Sequence, residues 1–438
     1  MTSEQLCLPV QRPRTAGEPG TLSAARGAAL YIGALLGPGL LLLPGLAAAE
    51  AGPASIIAWL GLLGLSALFA VVFAALGRAY PLAGGAPGYT AAGLGGRAGT
   101  VAGTCFLAGV VCGAPLVCLI GATYVTDLTG GGSAVRCAIA AGLLLTILAL
   151  ASGGMRATTA AQLVLVSLLT LVIVVAIAGT APAARAANWS PFAPRGWLSV
   201  GRAASTLMFS FVGWEAVAPL TGRFRDPARQ LPRVIGAALA VTTIVYLGLA
   251  IVTIAVLGKA AATDVPLAAL LTSAAGAAGR PIAVVVAVVL TLGATNAYLS
   301  GAVTMARARA QCRPGAGGGA LARQRSGHRF LAVVALAGVA LLGLYGARLV
   351  TTAELVGLPT ALFLIVYLGC TLAAARTLRG AVRACAAIAF AAVLVLLAFC
   401  GWALAAAAVV ALAASMRRWA PSLSYRCRMC VRTMFTDT

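Results

Sequence analysis

Glu215 lies in FSFVGWEAVAP, residues 209–219, two positions after Gly213 and four before Pro219. Its neighbours are otherwise apolar. A carboxyl in such a setting has two possible uses: it can accept freed backbone N–H groups, or it can take up and release a proton. A second unusual stretch is GALLGPGLLLLPGLAAAE, residues 33–50, where Gly37, Pro38 and Gly39 follow one another and Pro44 comes five residues later. Proline removes a backbone donor and crowds the preceding turn, and glycine contributes no side chain to hold a helix. Backbone groups freed there become available to a ligand.

The elements that carry these residues follow from composition. Of 438 residues, 61% are hydrophobic and 9% charged, and the mean hydropathy is +1.01. A soluble domain is about half apolar and about a quarter charged. The chain is therefore read as an all-α polytopic membrane protein whose main partner is the lipid bilayer. The net charge of +22 does not imply nucleic acid, because the basic residues lie between apolar stretches. Twelve stretches approach the roughly 20 apolar residues a span needs: 28–50, 53–76, 99–125, 135–151, 160–180, 201–221, 234–257, 281–304, 330–347, 352–373, 381–398 and 400–416. The run from residue 28 is longer than a signal peptide's apolar core and is expected to be retained.

With the N-terminus placed in the cytoplasm, 24 basic residues fall on the cytoplasmic side and seven on the other. That bias predicts both termini inside and a multi-pass protein of the cytoplasmic (plasma) membrane. The expected organisation is a cytoplasmic segment 1–27, a five-helix repeat 28–180, a second five-helix repeat 201–373, two added helices 381–416 and a basic cytoplasmic tail 417–438. An odd number of spans per repeat makes the two halves run in opposite directions.

Spans one and six are corresponding members of these repeats, and both are interrupted. Gly and Pro often merely kink membrane helices. Paired interruptions, one beside a charge, instead point to a binding site near the midplane of a transporter. Each break makes two half-helices, whose positive N-terminal and negative C-terminal ends can face the two charges of a zwitterion. Neither break holds an Arg or Asp to pair a charged side chain, so a neutral, aliphatic amino acid fits best. An intramembrane charge costs at least about 2.5 kcal/mol on insertion scales. Glu215 is therefore read either as a proton-coupling group or as a cap on the unwound turn.

In the loop GRFRDPARQLPRV, Asp226 and the arginines around it, Arg229 included, either fix topology or form a gate. No Walker A sequence is present, so ATP drive within this chain is not expected. His328 is the one histidine, and Cys427 and Cys430 form a lone CxxC, a weak metal signal. No cofactor and no metal centre are expected. A metal-dependent membrane enzyme would need an acidic or histidine cluster where the apolar interior offers one well-placed acid, and a serine protease would need a Ser–His pair that the spans do not supply. A nutrient sensor would need a signalling domain, and 22 residues follow position 416.

The chain resembles the amino acid–polyamine–organocation transporter superfamily, nearest to its bacterial methionine and branched-chain amino acid exporter branch. LLGPGLLLLPGLAA is similar to that branch's first helix, and FVGWEAVAPLTGRFRDPARQLPRV to its sixth helix and following loop. YPLAGGAPGY at 80–89 and TNAYLSGAVTMARARA at 295–310 are supporting matches. The resemblance implies a five-plus-five inverted-repeat fold, broken at helices one and six, with two added helices. It implies an amino acid held between the breaks formed by Gly37, Pro38 and Gly39 and by Gly213. By position, Leu35, Phe209 and Val212 would offer carbonyls, Gly39 an N–H, and the Phe209 ring a gate. The family usually has Ser, Thr or Ala at the place of Pro38, so one carboxylate contact is missing here. The resemblance leans to export; import and exchange use the same fold.

Overall fold

The computed structural model describes residues 23–80, 83–153, 159–217, 224–311 and 320–416, which fold into sixteen α-helices linked by short 3-10 turns. The first expected span is split into α1 (Ala24–Leu35) and α2 (Gly39–Ala51). Spans two to five are α3 (Ser55–Ala79), α5 (Gly96–Thr129), α6 (Ser133–Ser152) and α7 (Thr159–Thr180). Between the second and third lies a short helix, α4 (Ala86–Leu94). The sixth span is split into α8 (Leu198–Leu207) and α9 (Trp214–Val217), and Pro219 lies outside the described residues. Spans seven to ten are α10 (Pro227–Leu257), α12 (Gly279–Gln311), α13 (Ala320–Gly346) and α14 (Thr352–Thr377), with short α11 (Pro266–Ala275) between the first two. Then come α15 (Gly380–Ala398) and α16 (Trp402–Met416).

Among the described residues, eight segments are long and apolar enough to cross a membrane unaided. The other expected spans are the two interrupted ones and two shorter apolar helices, Ser167–Ala183 and Trp402–Met416.

The packing displays an internal two-fold relation. α4 packs on α5 and α14; its counterpart α11 packs on α12 and α7. α1 lies along α10, and α8 along α3. α5 contacts α6 as α12 contacts α13, while α5 meets α12 and α6 meets α13 across the centre. Exchanging each helix from α1 to α7 with the helix seven labels later in the chain, α8 to α14, maps this set onto itself. α15 covers α3 and α14, and α16 covers α5 and α14.

Local sequence explains where several elements start and stop. Asp226 caps α10, with Pro227 in the first turn, where a missing N–H costs nothing. Thr351 and Glu354 form a capping box at the start of α14. Small residues permit close crossings: a methyl on Gly45 would collide with the carbonyl oxygen of Thr263. Proline alone does not decide the breaks. Pro44, Pro115, Pro232 and Pro359 all lie inside continuous helices. The first interruption is confined to Leu36–Pro38, where proline is flanked by glycine on both sides.

Candidate functional site

α1 ends at Leu35. The Gly37 N–H turns back to the Leu35 carbonyl at 2.9 Å. Pro38 then occupies the N-cap of α2 and offers no N–H. Gly39 is the first helical residue, and its N–H has no partner within its own helix turn to come. Leu40 and Leu41 donate to the carbonyls of Gly37 and Pro38 at 3.3 and 3.1 Å. The break is thus short, and the positive end of α2 sits at its centre.

The second break is built differently. After α8 the chain tightens into a 3-10 turn, Met208–Phe211, and Val212 is extended. The Gly213 N–H donates to Glu215 Oε2 at 3.0 Å and to the Tyr367 hydroxyl oxygen at 3.2 Å. Tyr367, on α14, donates its own proton to Glu215 Oε2 at 2.5 Å. Glu215 is 3% exposed, and among the described residues its Oε1 has no hydrogen-bond partner. Glu215 therefore does cap the turn, while one carboxylate oxygen is left over.

The two breaks are locked together. A Cβ on Gly213 would stand 2.5 Å from the Ala34 carbonyl oxygen, so only glycine allows this approach. The Tyr246 hydroxyl, on α10, lies 2.5 Å from the Leu35 carbonyl and 2.8 Å from that of Ser210. A phenol has one proton, so it serves one carbonyl at a time. Tyr298 on α12 donates to the Val212 carbonyl at 3.4 Å.

Between the breaks lies a cavity; its empty space together with the adjoining solvent amounts to about 580 Å³. The first break contributes Gly37, Pro38 and Gly39 to its wall; the second contributes Phe209, Ser210 and Val212. Gly109, Gly113 and Val117 on α5 face it, as do Thr295 and Tyr298 on α12 and Phe363 on α14. Among the described residues, none that lines it carries a charge. Small residues on α5 leave the space: a Cβ on Gly113 would meet nothing nearer than Pro359 at 3.8 Å.

Of the residues singled out in the sequence, Gly37, Pro38, Gly39, Phe209 and Val212 line this cavity. Leu35 and Gly213 stand behind the wall, with the Leu35 carbonyl engaged by Tyr246 and Gly37 and the Gly213 N–H by Glu215 and Tyr367. Glu215 is also outside the lining. Asp226 and Arg229 sit together at the start of α10: Asp226 Oδ1 accepts the Arg229 N–H at 3.2 Å, and Oδ2 lies 3.8 Å from Arg229 Nε. Cys427 and Cys430 lie outside the described residues, and among the described residues no cluster of His, Cys, Asp and Glu could hold a metal ion.

Sequence reasoning overlooked Tyr246, Tyr298 and Tyr367. Their signal was present: a tyrosine within an apolar span needs a partner for its hydroxyl. Two interrupted helices facing one another across a central cavity, inside oppositely oriented repeats, define a membrane transporter of the five-plus-five inverted-repeat class. A solved structure of the same fold is that of MhsT in complex with L-phenylalanine, at TM-score 0.57 and 15% identity, covering 91% of this chain and all of that one.

Residues 22–313 match the amino acid permease family model. Relatives include an uncharacterized amino acid permease, YecA, of Bacillus subtilis, 32% identical over 89% of this chain and 93% of that protein. The L-methionine/branched-chain amino acid exporter YjeH of Escherichia coli is 29% identical over 87% and 92%. The branched-chain amino acid permease BcaP of Bacillus subtilis is 28% identical over 50% and 51%. The chain belongs to the amino acid permease family of the amino acid–polyamine–organocation superfamily.

Proposed function

We propose that this permease is a secondary transporter of neutral, aliphatic amino acids, coupled to protons through Glu215 and oriented toward export across the cytoplasmic membrane, with both termini inside. The observation that carries the substrate class is the cavity wall: it lies between helix ends and, among the described residues, holds no charged side chain. A zwitterion's own charges can be met by helix ends and backbone groups. Its side chain then meets Val110, Val117, Val212 and Phe363, and the Phe209 ring closes over it. A cationic side chain would find no carboxylate in that wall.

Coupling rests on Glu215, the buried carboxyl whose Oε1 is unpartnered among the described residues. One proton crossing 100 mV supplies about 2.3 kcal/mol, sufficient for a roughly fifty-fold gradient of a neutral solute. Export draws on the similarity to YjeH, whose name describes an exporter. Import or exchange remains available to the same fold, and BcaP is named a permease.

The test is a panel of radiolabelled amino acids in proteoliposomes, with and without an imposed pH gradient. Leucine, isoleucine, valine and methionine are expected to exchange, and to accumulate against their gradients when protons flow the opposite way. Transport confined to lysine or arginine, or insensitivity to the pH gradient, would overturn the respective part of this reading.

A further inference from the structure

The positive end of α2 faces the cavity with an incomplete set of donors. Pro38 has no N–H, and the N–H groups of Leu40 and Leu41 already serve the carbonyls behind them. Gly39 is left as the backbone donor at the tip. A carboxylate has two oxygens and about four lone-pair sites, so one N–H leaves it poorly satisfied.

Directly across from this tip stands Ser210, on the opposite break. A methyl on Gly39 would collide with the Ser210 hydroxyl, and the Ser210 Cα is only 3.3 Å from that methyl's position. Ser210 is 2% exposed and lines the cavity. Its Oγ has no hydrogen-bond partner among the described residues. A buried hydroxyl without a partner is uncommon and costs stability. Its backbone is fixed from behind, since the Ser210 carbonyl lies 2.8 Å from the Tyr246 hydroxyl.

We propose that Ser210 is a substrate-binding residue whose hydroxyl donates to the carboxylate of the bound amino acid, replacing from the second break the donor that Pro38 removes from the first. The proposal deepens the amino acid reading above and rests on it. The carboxylate would be held by two elements, the Gly39 N–H on α2 and the Ser210 Oγ–H beyond α8. Gripping one group from both interrupted helices ties their relative position to occupancy. The unpartnered hydroxyl in the empty site becomes satisfied when the ligand arrives, so its burial cost is recovered on binding. Thr295 Oγ1 is a second wall hydroxyl without a partner among the described residues, and it is carried by α12 and not by either break.

The experiment compares wild type, Ser210→Ala, Pro38→Ser and the double variant in purified, reconstituted protein. Equilibrium binding of leucine is measured beside that of leucinamide, which has the ammonium and side chain but no carboxylate. Ser210→Ala is expected to weaken leucine binding about 10- to 100-fold, the range for one hydrogen bond to a charged group, and to leave leucinamide within about twofold. Pro38→Ser in the Ser210→Ala background is expected to restore much of the leucine affinity. Thermal unfolding of empty Ser210→Ala should be unchanged or raised, because the variant deletes an unsatisfied polar group. Unchanged leucine binding in Ser210→Ala, or equal losses for both ligands, would overturn the assignment of the hydroxyl alone. Failure of wild type to bind any amino acid would overturn the amino acid reading and this proposal with it.

Discussion

The two helix breaks occupy equivalent places in the two repeats, yet they satisfy their backbones by opposite means. At the second break the chain supplies its own acceptor. Glu215, two residues on, takes the Gly213 N–H, and Tyr367 joins them. At the first break there is no such side chain: Gly37 bonds back to Leu35, and the tip of α2 is left facing the cavity. A break that consumes its own donors is a structural joint. A break that leaves them unused must find its acceptor in a ligand. On the function proposed above, the repeats would divide the work, with anion recognition at the first break and proton chemistry at the second.

The largest test of this division is Glu215→Gln. Glutamine keeps an oxygen for the Gly213 N–H and the Tyr367 hydroxyl but cannot titrate. Exchange of labelled amino acid across the membrane is expected to continue, while accumulation driven by a pH gradient falls to background. Full pH-driven accumulation by this variant would remove the carboxyl from coupling and leave it as a cap alone.

The glycines of the two breaks should also respond unequally. Gly213→Ala places a methyl 2.5 Å from the Ala34 carbonyl oxygen, a backbone atom that cannot swing aside. A Cβ on Gly37 meets nothing within 4 Å. Overpacking of this kind costs about 1–3 kcal/mol, so thermal unfolding of Gly213→Ala should drop by several degrees and substrate binding should be lost. Gly37→Ala should unfold close to wild type. Equal stability of the two variants would mean that the breaks do not touch as described.

Tyr246→Phe probes the bridge between them. Removing the hydroxyl leaves the Leu35 carbonyl with the Gly37 N–H, but takes the phenol away from the Ser210 carbonyl. A buried polar group deprived of its partner costs about 1–3 kcal/mol. The variant should lose stability within that range and weaken ligand binding, because Ser210 is no longer held from behind. A phenylalanine variant as stable as wild type would remove Tyr246 from the clamp.

Much of this was legible in the sequence, for identifiable reasons. A run such as LLLLPGLAAA can only be a membrane helix, and Gly37-Pro38-Gly39 can hardly continue one, so spans and breaks follow from local chemistry. The helices α4 and α11 escaped because they are short and bounded by Gly and Pro, which read as loop. Pro44 and Pro115 show the converse: proline inside a long apolar helix is tolerated when neighbouring helices hold it. The partners of the breaks were not legible. Tyr367 lies 152 residues from Glu215, and Tyr246 lies 211 from Leu35. Such pairings are set by tertiary packing, and no local pattern encodes them.

The smallest expected effect is at the start of α10, downstream of the second break. Asp226 accepts the Arg229 N–H and lies 3.8 Å from the same residue's guanidinium, with both side chains well exposed. Both contacts stay within one helix turn. An exposed ion pair contributes about 0–1 kcal/mol, and loss of an N-cap costs about 0.5–2 kcal/mol. A cap and a gate differ in what they change. A cap stabilises α10 in every state of the transport cycle, so Asp226→Ala should lower thermal stability slightly and leave turnover unaltered, and Asp226→Asn or Asp226→Ser should recover most of the loss. A gate would hold one state alone, so its removal would change the transport rate at constant stability, and neutral capping residues would not restore it. Measuring unfolding and initial transport rates for the three variants separates the two, and a rate change that Asn fails to rescue would move Asp226 and Arg229 from the scaffold to the gate.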